Sequence, residues 1–468
     1  MHYFLYPTKD TFITNDPSFM YKNMGLDEIL EVEKNVIDNS CSGGRGASLS
    51  RAILQFDLTT ISASIATGVV LNPKFYLTLK TAEAQAVAAN YTLAAYPLSA
   101  SWVMGTCYKY DGNPVSDGAN WKFSDGVSAK WWVTESLVNC DGGGLWWVSA
   151  SLLGSGSGYA QPPFVSPNPY DPYPFCTSTP TVSVTGTVTP TPTPSSGSAP
   201  TPTPTLSPTA TSTPTPTVTP TVTPTITVTT TPSATIGSSP TPTPSITPTT
   251  SLLPVVGGYA AYQNFTYRSS DVHMDITNIV NAWLSGALPN NGLIVLHSGE
   301  ADSVSYGKLR FFSKETNTVY SPYIDMAWDD SYFNIANNTS SFDPININDA
   351  VVTIKNMASQ YKYGSIIKFE VTGRTRYPVK TFTNKVSDYL EVFWLPYTTY
   401  YAIRDAETSE AIIPYDGYTR VSFDSSGNYF LFDTTGLPQE RYFIISIRCE
   451  QSGTILTFDI PTTFKIVR

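Results

Sequence analysis

Three glutamates near the start of the chain are the residues whose types could supply an acid and a base. They are Glu28, Glu31 and Glu33, and the last two would share one face if residues 28–33 form a strand. A glycoside hydrolase needs two carboxylates several ångströms apart in a cleft. Nothing in the spacing places a pair across a cleft, so we predict that the protein is not an enzyme.

The three histidines, His2, His273 and His297, show no spacing typical of a catalytic or metal site. No HExxH segment is present, and no cysteine lies near a histidine at the spacing of zinc ligands. Neither a GxSxG nucleophile segment nor a GxxxxGKS/T phosphate loop occurs. We therefore predict no cofactor, and we interpret the histidines as ordinary, partly buried side chains.

Four side chains with oxygen ligands lie close together and could hold Ca²⁺. They are Asp343, Asn346, Asn348 and Asp349. The complete EF-hand loop with its terminal glutamate is absent, and Asp and Asn are also common turn formers. We therefore predict no metal centre, with turn chemistry as the first interpretation and a calcium site as the alternative.

Tryptophans in a glycine- and aspartate-rich stretch, residues 102–147, are the best candidates for a binding surface. The candidates are Trp121, Trp131, Trp132, Trp146 and Trp147. An aromatic face stacks on the C–H face of a sugar, and exposed aromatics often mark binding patches. The alternative is that these side chains pin long loops to the domain or pack against a neighbouring subunit. We predict carbohydrate or subunit contact, with both possibilities open.

The elements that position these residues are predicted to be β-strands. Of 468 residues only 14% are charged, whereas 29 are Tyr and 22 are Phe, a composition typical of β-rich proteins. The net charge of −10 leaves no basic stripe for phosphates, which argues against nucleic acid as a partner. The sequence contains neither a signal-peptide pattern nor a long apolar run, so we expect no membrane insertion.

Residues 177–250 form a low-complexity segment of mainly Thr, Pro and Ser, without a charged or aromatic side chain. Each proline fixes φ near the polyproline II value and removes a backbone donor. Too little apolar surface is present to offset the entropy of ordering. We predict a disordered, extended insert, which is either a passive spacer or a projecting and glycosylated surface loop.

Regular segments are predicted on both sides of this insert. Residues 50–58 alternate as a strand, with Ala52, Leu54 and Phe56 on one face. After the insert, residues 276–284 have helical spacing, with Asp275 or Thr277 as the N-cap.

The order of these segments resembles the DNRLRE-type modules, which are jelly-roll-like domains of bacterial surface proteins related to a family of carbohydrate-binding modules. The matching segments are SRAILQFDL, KFYLTLK, a loop beginning SW, MDITNIVNAWLSG, NNGLIVL, FFSKET and PYIDMAW. The resemblance implies that residues 1–175 and 255–330 form one discontinuous β-sandwich. Residues 177–250 would then be inserted in a loop, where long additions are tolerated.

Residues 340–468 contain about seven predicted strands separated by turn signals, which favours an immunoglobulin-like sandwich. We expect Phe369, Trp394 and Phe443 in its core. The fold class predicted for the chain is therefore all-β, with a jelly-roll-like sandwich interrupted by the insert and followed by an immunoglobulin-like sandwich.

Most of the chain outside the insert is similar to virion structural proteins of T4-like marine phages. The similar segments are HYFLYPTKDTFI, IKNM, YKYGSIIKFEVTGRTRYPVKTF and FDIPTTFKIVR. This resemblance implies a non-enzymatic protein of the tail, neck or baseplate, made in the host cytoplasm, with other virion proteins or further copies of itself as partners. The alternative is a glycan-binding module that attaches the particle to the host surface.

Overall fold

The computed structural model describes residues 1–39, 44–111, 117–132, 146–147, 160–161, 259–266, 271–298, 306–334, 343–355, 357–377 and 393–468. The predicted all-β class is confirmed, because this part of the chain holds many strands and only two α-helices. The chain divides into one unit made of Met1–Thr177 and Pro248–Arg468 and a second made of Ser178–Thr247. The predicted insert, residues 177–250, lies outside the described residues.

The described residues up to 327 form a first sandwich. Its elements are β1 (His2–Leu5), β2 (Pro7–Thr14), β3 (Ile29–Asn39), β4 (Gly44–Phe56), α1 (Thr59–Ala66), β5 (Lys74–Leu79), β6 (Thr81–Gln85), β7 (Asn90–Pro97), β8 (Phe123–Asp125), β9 (Lys130–Trp131), β10 (Trp146–Trp147), β11 (Ala160–Gln161), β12 (Ala261–Thr266), β13 (Val272–Asp275), α2 (Thr277–Leu284), β14 (Leu293–His297), β15 (Gly307–Phe312) and β16 (Tyr323–Ala327). One sheet has the order β1-β16-β5-β13, and the larger has the order β12-β7-β14-β4-β3-β15-β6, with β2 also on β4. Strands from before and after residues 177–250 therefore pair with each other in both sheets.

Both faces of the larger sheet are covered at β4 and β14. In β4, Ala52, Leu54 and Phe56 are buried in the core between the sheets, as the alternation predicts. The opposite side chain Ile53 packs with Ile294 of β14 in a separate cluster beneath the tryptophan-rich loop. All five residues of β14 are buried, which is typical of a strand with no solvent-facing side.

Helix α2 begins one residue later than its predicted start. Ile276 occupies the N-cap position and makes no side-chain cap bond, so the cap prediction was wrong in detail. Asp275 Oδ1 instead accepts a hydrogen bond from the first helical amide, that of Thr277 (2.9 Å). The Thr277 hydroxyl accepts from the Phe75 amide (3.0 Å), which ties the helix to β5.

The second sandwich is confirmed as immunoglobulin-like. Its strands are β17 (Ala350–Lys355), β18 (Gln360–Lys362), β19 (Ile366–Thr375), β20 (Thr399–Asp405), β21 (Ala411–Ile413), β22 (Ser422–Asp424), β23 (Gly427–Asp433), β24 (Tyr442–Gln451) and β25 (Thr454–Val467). One sheet has the order β17-β19-β23-β22 and the other the order β18-β25-β24-β20-β21. These match the immunoglobulin orders A-B-E-D and G-F-C-C′, with β18 added in parallel to the last strand.

Two of the three predicted core residues of this sandwich are confirmed. Phe369 and Phe443 are fully buried in its core. The prediction for Trp394 was wrong, because this side chain is only half-buried and its indole N–H donates to the Asp424 carbonyl (3.0 Å). Neighbouring side chains of an extended segment point to opposite sides, and here it is Leu395 that enters the core.

We expect Trp394→Ala to lower the free energy of unfolding by about 1–2 kcal/mol, because the substitution removes one hydrogen bond and part of an apolar contact. Urea denaturation monitored by circular dichroism would measure this cost. A loss of about 4 kcal/mol, the cost typical of emptying a buried aromatic site, would show that the indole belongs to the core after all.

Candidate functional site

The described part of the tryptophan-rich loop, residues 102–111 and 117–132, packs onto the outer face of the larger sheet. Trp121 and Trp132 are only 3% and 2% exposed. The Arg51 guanidinium lies 4.6 Å from the centre of a Trp121 ring, and the Trp132 indole donates to the Asn120 carbonyl (2.7 Å). Neither ring is placed to stack on a sugar, and the alternative in which tryptophans pin the loop accounts for both.

The structure does not test the prediction for the other three tryptophans, Trp131, Trp146 and Trp147. The backbone of Trp131 lies in β9, and Trp146 and Trp147 form β10, which pairs with β11. Their side chains lie outside the described residues, so contact with carbohydrate or with a neighbouring subunit stays a prediction for these three.

A buried asparagine that the sequence analysis did not single out fixes the course of the loop. Asn23 Nδ2 donates to the carbonyls of Met104 (2.5 Å) and Ala119 (3.1 Å). Its Oδ1 accepts from the amides of Gly25 (3.0 Å) and Cys107 (3.3 Å). Both donors and the acceptor of the amide are therefore used, and they tie Met104, Cys107 and Ala119 to the segment between β2 and β3.

A ladder of paired charges crosses β3, β15 and β6 on the outer face. Arg310 lies directly opposite Glu31, and Lys308 opposite Glu33. Arg310 Nε is 3.1 Å from Glu31 Oε1, and the same guanidinium also contacts Glu83 of β6. Lys308 Nζ contacts both Glu33 (2.9 Å) and Glu31 (3.1 Å). The two glutamates thus lie side by side, as their alternation predicts, and share a cation.

Lys109, from the loop held by Asn23, closes over this ladder. Its ammonium donates to Glu31 Oε2 (2.5 Å). The same nitrogen lies 5.4 Å from the ring centre of Phe12, 5.3 Å from that of Phe19 and 5.7 Å from that of Tyr110. The buried cation is therefore satisfied by one carboxylate and by three aromatic rings.

These contacts fix the ionisation of Glu31. Burial alone would raise the pKa of this carboxyl, but hydrogen bonds and attraction from Lys109 and Lys308 outweigh it and lower the pKa. A general acid needs a pKa near the working pH. Glu31 is instead held as a carboxylate between cations, so its geometry suits it to joining strands and not to donating a proton.

An open cleft of about 520 Å³ lies between the ladder and the loop. We call it the Glu31 cleft, and its lining residues are Phe12, Asp27, Ile29, Glu31, Ala82, Glu83, Lys109, Tyr110 and Arg310. Only Glu31 among these residues was predicted as a candidate, because Phe12, Glu83, Lys109 and Arg310 come from segments distant in the sequence.

A second polar cluster joins the two sandwiches. His2 of β1 places Nδ1 2.9 Å and 3.0 Å from the two carboxylate oxygens of Asp325 in β16. Its Nε2 lies 3.1 Å from Asp416 Oδ2, in the segment between β21 and β22 of the second sandwich. We call these three residues the His2 clamp. Both ring nitrogens face carboxylates, which is the arrangement that an imidazolium favours.

The ionisation of the clamp follows from this geometry. Burial lowers the pKa of His2, but the hydrogen bonds with Asp325 and the ion pairs with Asp325 and Asp416 raise it to about 9. Burial alone would raise the pKa of the Asp416 carboxyl. The attraction of the His2 cation is stronger than this effect, so the pKa of Asp416 is lowered. At neutral pH the clamp is therefore one buried cation between two carboxylates.

Further contacts of the same region join the sandwiches. The Met1 amino group donates to the Trp328 carbonyl (2.7 Å) and contacts the Tyr418 carbonyl of the second sandwich. Lys80, directly after β5, lies 2.6 Å from Glu410 beside β21. Phe4 of β1 is buried within the core of the second sandwich. Strand β1 thus belongs to the sheet of one sandwich and to the core of the other.

The predicted oxygen ligands after residue 342 take part in turn structure. Asn346 Oδ1 accepts from the Asn348 amide (3.1 Å) and caps a 3₁₀ turn, Ile347–Asp349. The Asp349 carbonyl accepts a hydrogen bond from the Arg376 amide (2.5 Å). Asp343 is exposed. Turn chemistry, the first interpretation, accounts for Asn346. Across the part of the chain that the structure describes, no group of three or more His, Cys, Asp or Glu is arranged to hold a metal.

Comparison with known proteins identifies no family for this chain. No family model matches the chain, and no curated protein matches it. Among solved structures, the chain is similar to a DUF4785 family protein from Legionella pneumophila, at 14% sequence identity and with a TM-score of 0.16. The match covers 39% of this chain and 42% of that protein, so the chain spans less than half the length of the structure it matches.

Both α-helices in the described residues have eight residues, which is too short to cross a bilayer.

Proposed function

We propose that the protein is a non-enzymatic structural component of a phage particle, in the tail, neck or baseplate. Its partners would be other virion proteins or further copies of itself. The resemblance of the chain to structural proteins of T4-like phages supports this setting. The observation that carries the proposal is the His2 clamp, since a buried ion triad between two sandwiches suits a protein that holds its parts in fixed orientation under load.

The carboxylates of Glu31 and Asp416 also support a structural role, because both are paired with cations. Glu31 joins β3 to β15 through Lys308 and Arg310 and to the loop through Lys109. Asp416 joins the two sandwiches through His2. Their pKa values are lowered by these partners, which keeps both groups ionised and paired. Such residues contribute to shape, and they are poorly suited to exchanging protons with a substrate.

We expect the purified protein to release no new reducing ends from host envelope polysaccharides and to associate with itself or with a second virion protein. Reducing-end assays and light scattering would measure these two properties. Turnover that disappears in Glu33→Gln but persists in the control variant Glu410→Gln would overthrow the proposal in favour of an enzyme.

The proposed location needs its own test. Antibodies raised against residues 393–468 should label intact, purified particles in immunogold electron microscopy. Particles that carry no label, and whose mass-spectrometric analysis also lacks the peptides of this chain, would contradict a place in the virion.

A further inference from the structure

An aromatic ring stands exposed at the rim of the Glu31 cleft. Tyr110 is 77% exposed, although the neighbouring residue Lys109 is buried. Its ring is held by an edge-to-face contact with Phe19 at 5.9 Å and by the Lys109 ammonium at 5.7 Å. The ring is therefore held in place by its contacts while much of its surface is open to a ligand.

The rim beside this ring offers paired donors and acceptors. The side chains of Arg310 and Glu83 are 27% and 44% exposed, and they contact each other across β15 and β6. The guanidinium donates hydrogen bonds, and the carboxylate accepts them. Two neighbouring hydroxyl groups of a ligand can accept a hydrogen bond from Arg310 and donate one to Glu83 at the same time.

The charges of the cleft disfavour an anionic ligand. Three acidic side chains line it, Asp27, Glu31 and Glu83, and two cations do so, Lys109 and Arg310. A third cation, Lys308, pairs with Glu31 from the side. Lys308 also pairs with Glu33, so four acids stand against three bases and the cleft repels an anionic ligand. Each charged group remains a strong partner for a hydroxyl.

We propose that the Glu31 cleft is a binding site for a neutral saccharide, which stacks on Tyr110 and shares its hydroxyl groups between Arg310 and Glu83. The buried pair of Glu31 and Lys109 forms a fixed floor that needs no reorganisation on binding. The volume of about 520 Å³ lies within the ordinary range for small-ligand pockets. Such a site would act in addition to the structural role, at residues other than the predicted tryptophans.

The test uses the full chain and a panel of neutral hexose oligosaccharides, with uronic acid oligosaccharides of equal length for comparison. Binding would be measured by saturation-transfer NMR and by calorimetric titration. We expect at least one neutral oligosaccharide to bind, and Tyr110→Ala to weaken that binding by about tenfold, the effect of removing one aromatic contact. Glu83→Gln, which keeps the shape of an exposed side chain, should weaken it as well.

Tyr377→Ala is the matched control, because this tyrosine is 83% exposed in the second sandwich. Binding that is lost at the cleft and kept in the control supports the proposal. The proposal is overturned if no neutral oligosaccharide binds, if the uronic acid series binds more tightly, if neither cleft variant weakens binding, or if the control weakens it equally. None of these outcomes depends on where the protein lies in a particle, so the structural role is tested separately.

Discussion

Replacing His2 by alanine is expected to lower the free energy of unfolding by about 3–5 kcal/mol, because Asp325 and Asp416 lose the cation that they share. Removing one partner of a buried ion pair costs more than the pair contributes, since the remaining charge stays buried and uncompensated. Here a single substitution leaves two such charges, one on each sandwich.

The same clamp makes stability depend on pH in a defined direction. The folded-state pKa of His2 is raised to about 9, above its ordinary value of 6.5. The folded protein therefore holds this proton more tightly than the unfolded chain does. The stabilisation is fully present below about pH 6.5 and is lost as the pH rises through about 9. A shift of this size corresponds to about 3 kcal/mol.

Urea denaturation between pH 6 and pH 10 would measure this dependence in the wild type and in His2→Gln. We expect the wild-type stability to fall by more than that of the variant across this range. His273→Gln is the control, because His273 is exposed on β13 and stacks on Tyr76 at 4.7 Å. Two parallel curves for the wild type and His2→Gln would rule out a protonated clamp.

Composition and local periodicity were enough to predict the all-β class and several elements. The alternation of residues 50–58 placed Ala52, Leu54 and Phe56 in the core, and the strand spacing after residue 340 indicated the immunoglobulin-like sandwich. A two-residue period says which side chains share a face, but it does not say what covers that face. Trp121 and Trp132 are buried because the loop that carries them covers the outer face of the larger sheet.

The two polar clusters could not be predicted for a related reason. His2 and Asp325 are 323 positions apart, and Lys109 and Glu31 are 78 apart. Their pairing follows from the order of strands in the sheets and from the course of a loop, neither of which leaves a local pattern. Only the side-by-side arrangement of Glu31 and Glu33 was visible in the sequence, because it depends on strand alternation alone.

Phe4→Ala is expected to destabilise the second sandwich by about 3–5 kcal/mol, although Phe4 lies in a strand of the first. The ring packs at 4.7 Å from that of Tyr323 and fills the space beside Gly436, where a Cβ atom would collide with it. Removing it leaves a cavity in one core and weakens the contact between the two. We therefore expect the second sandwich to unfold at a lower temperature than the first in the variant.

Differential scanning calorimetry of the full chain would measure this separation. The wild type should unfold in one transition and Phe4→Ala in two, because two bodies unfold together only while the contact between them is strong. Gly436→Ala should act in the same direction from the opposite side, since the added methyl group must displace the Phe4 ring. Tyr6→Ala is the matched control, because this aromatic ring lies beside the same strand and is partly exposed. A Phe4→Ala variant that unfolds in one transition, with no greater loss than Tyr6→Ala, would show that β1 does not couple the sandwiches.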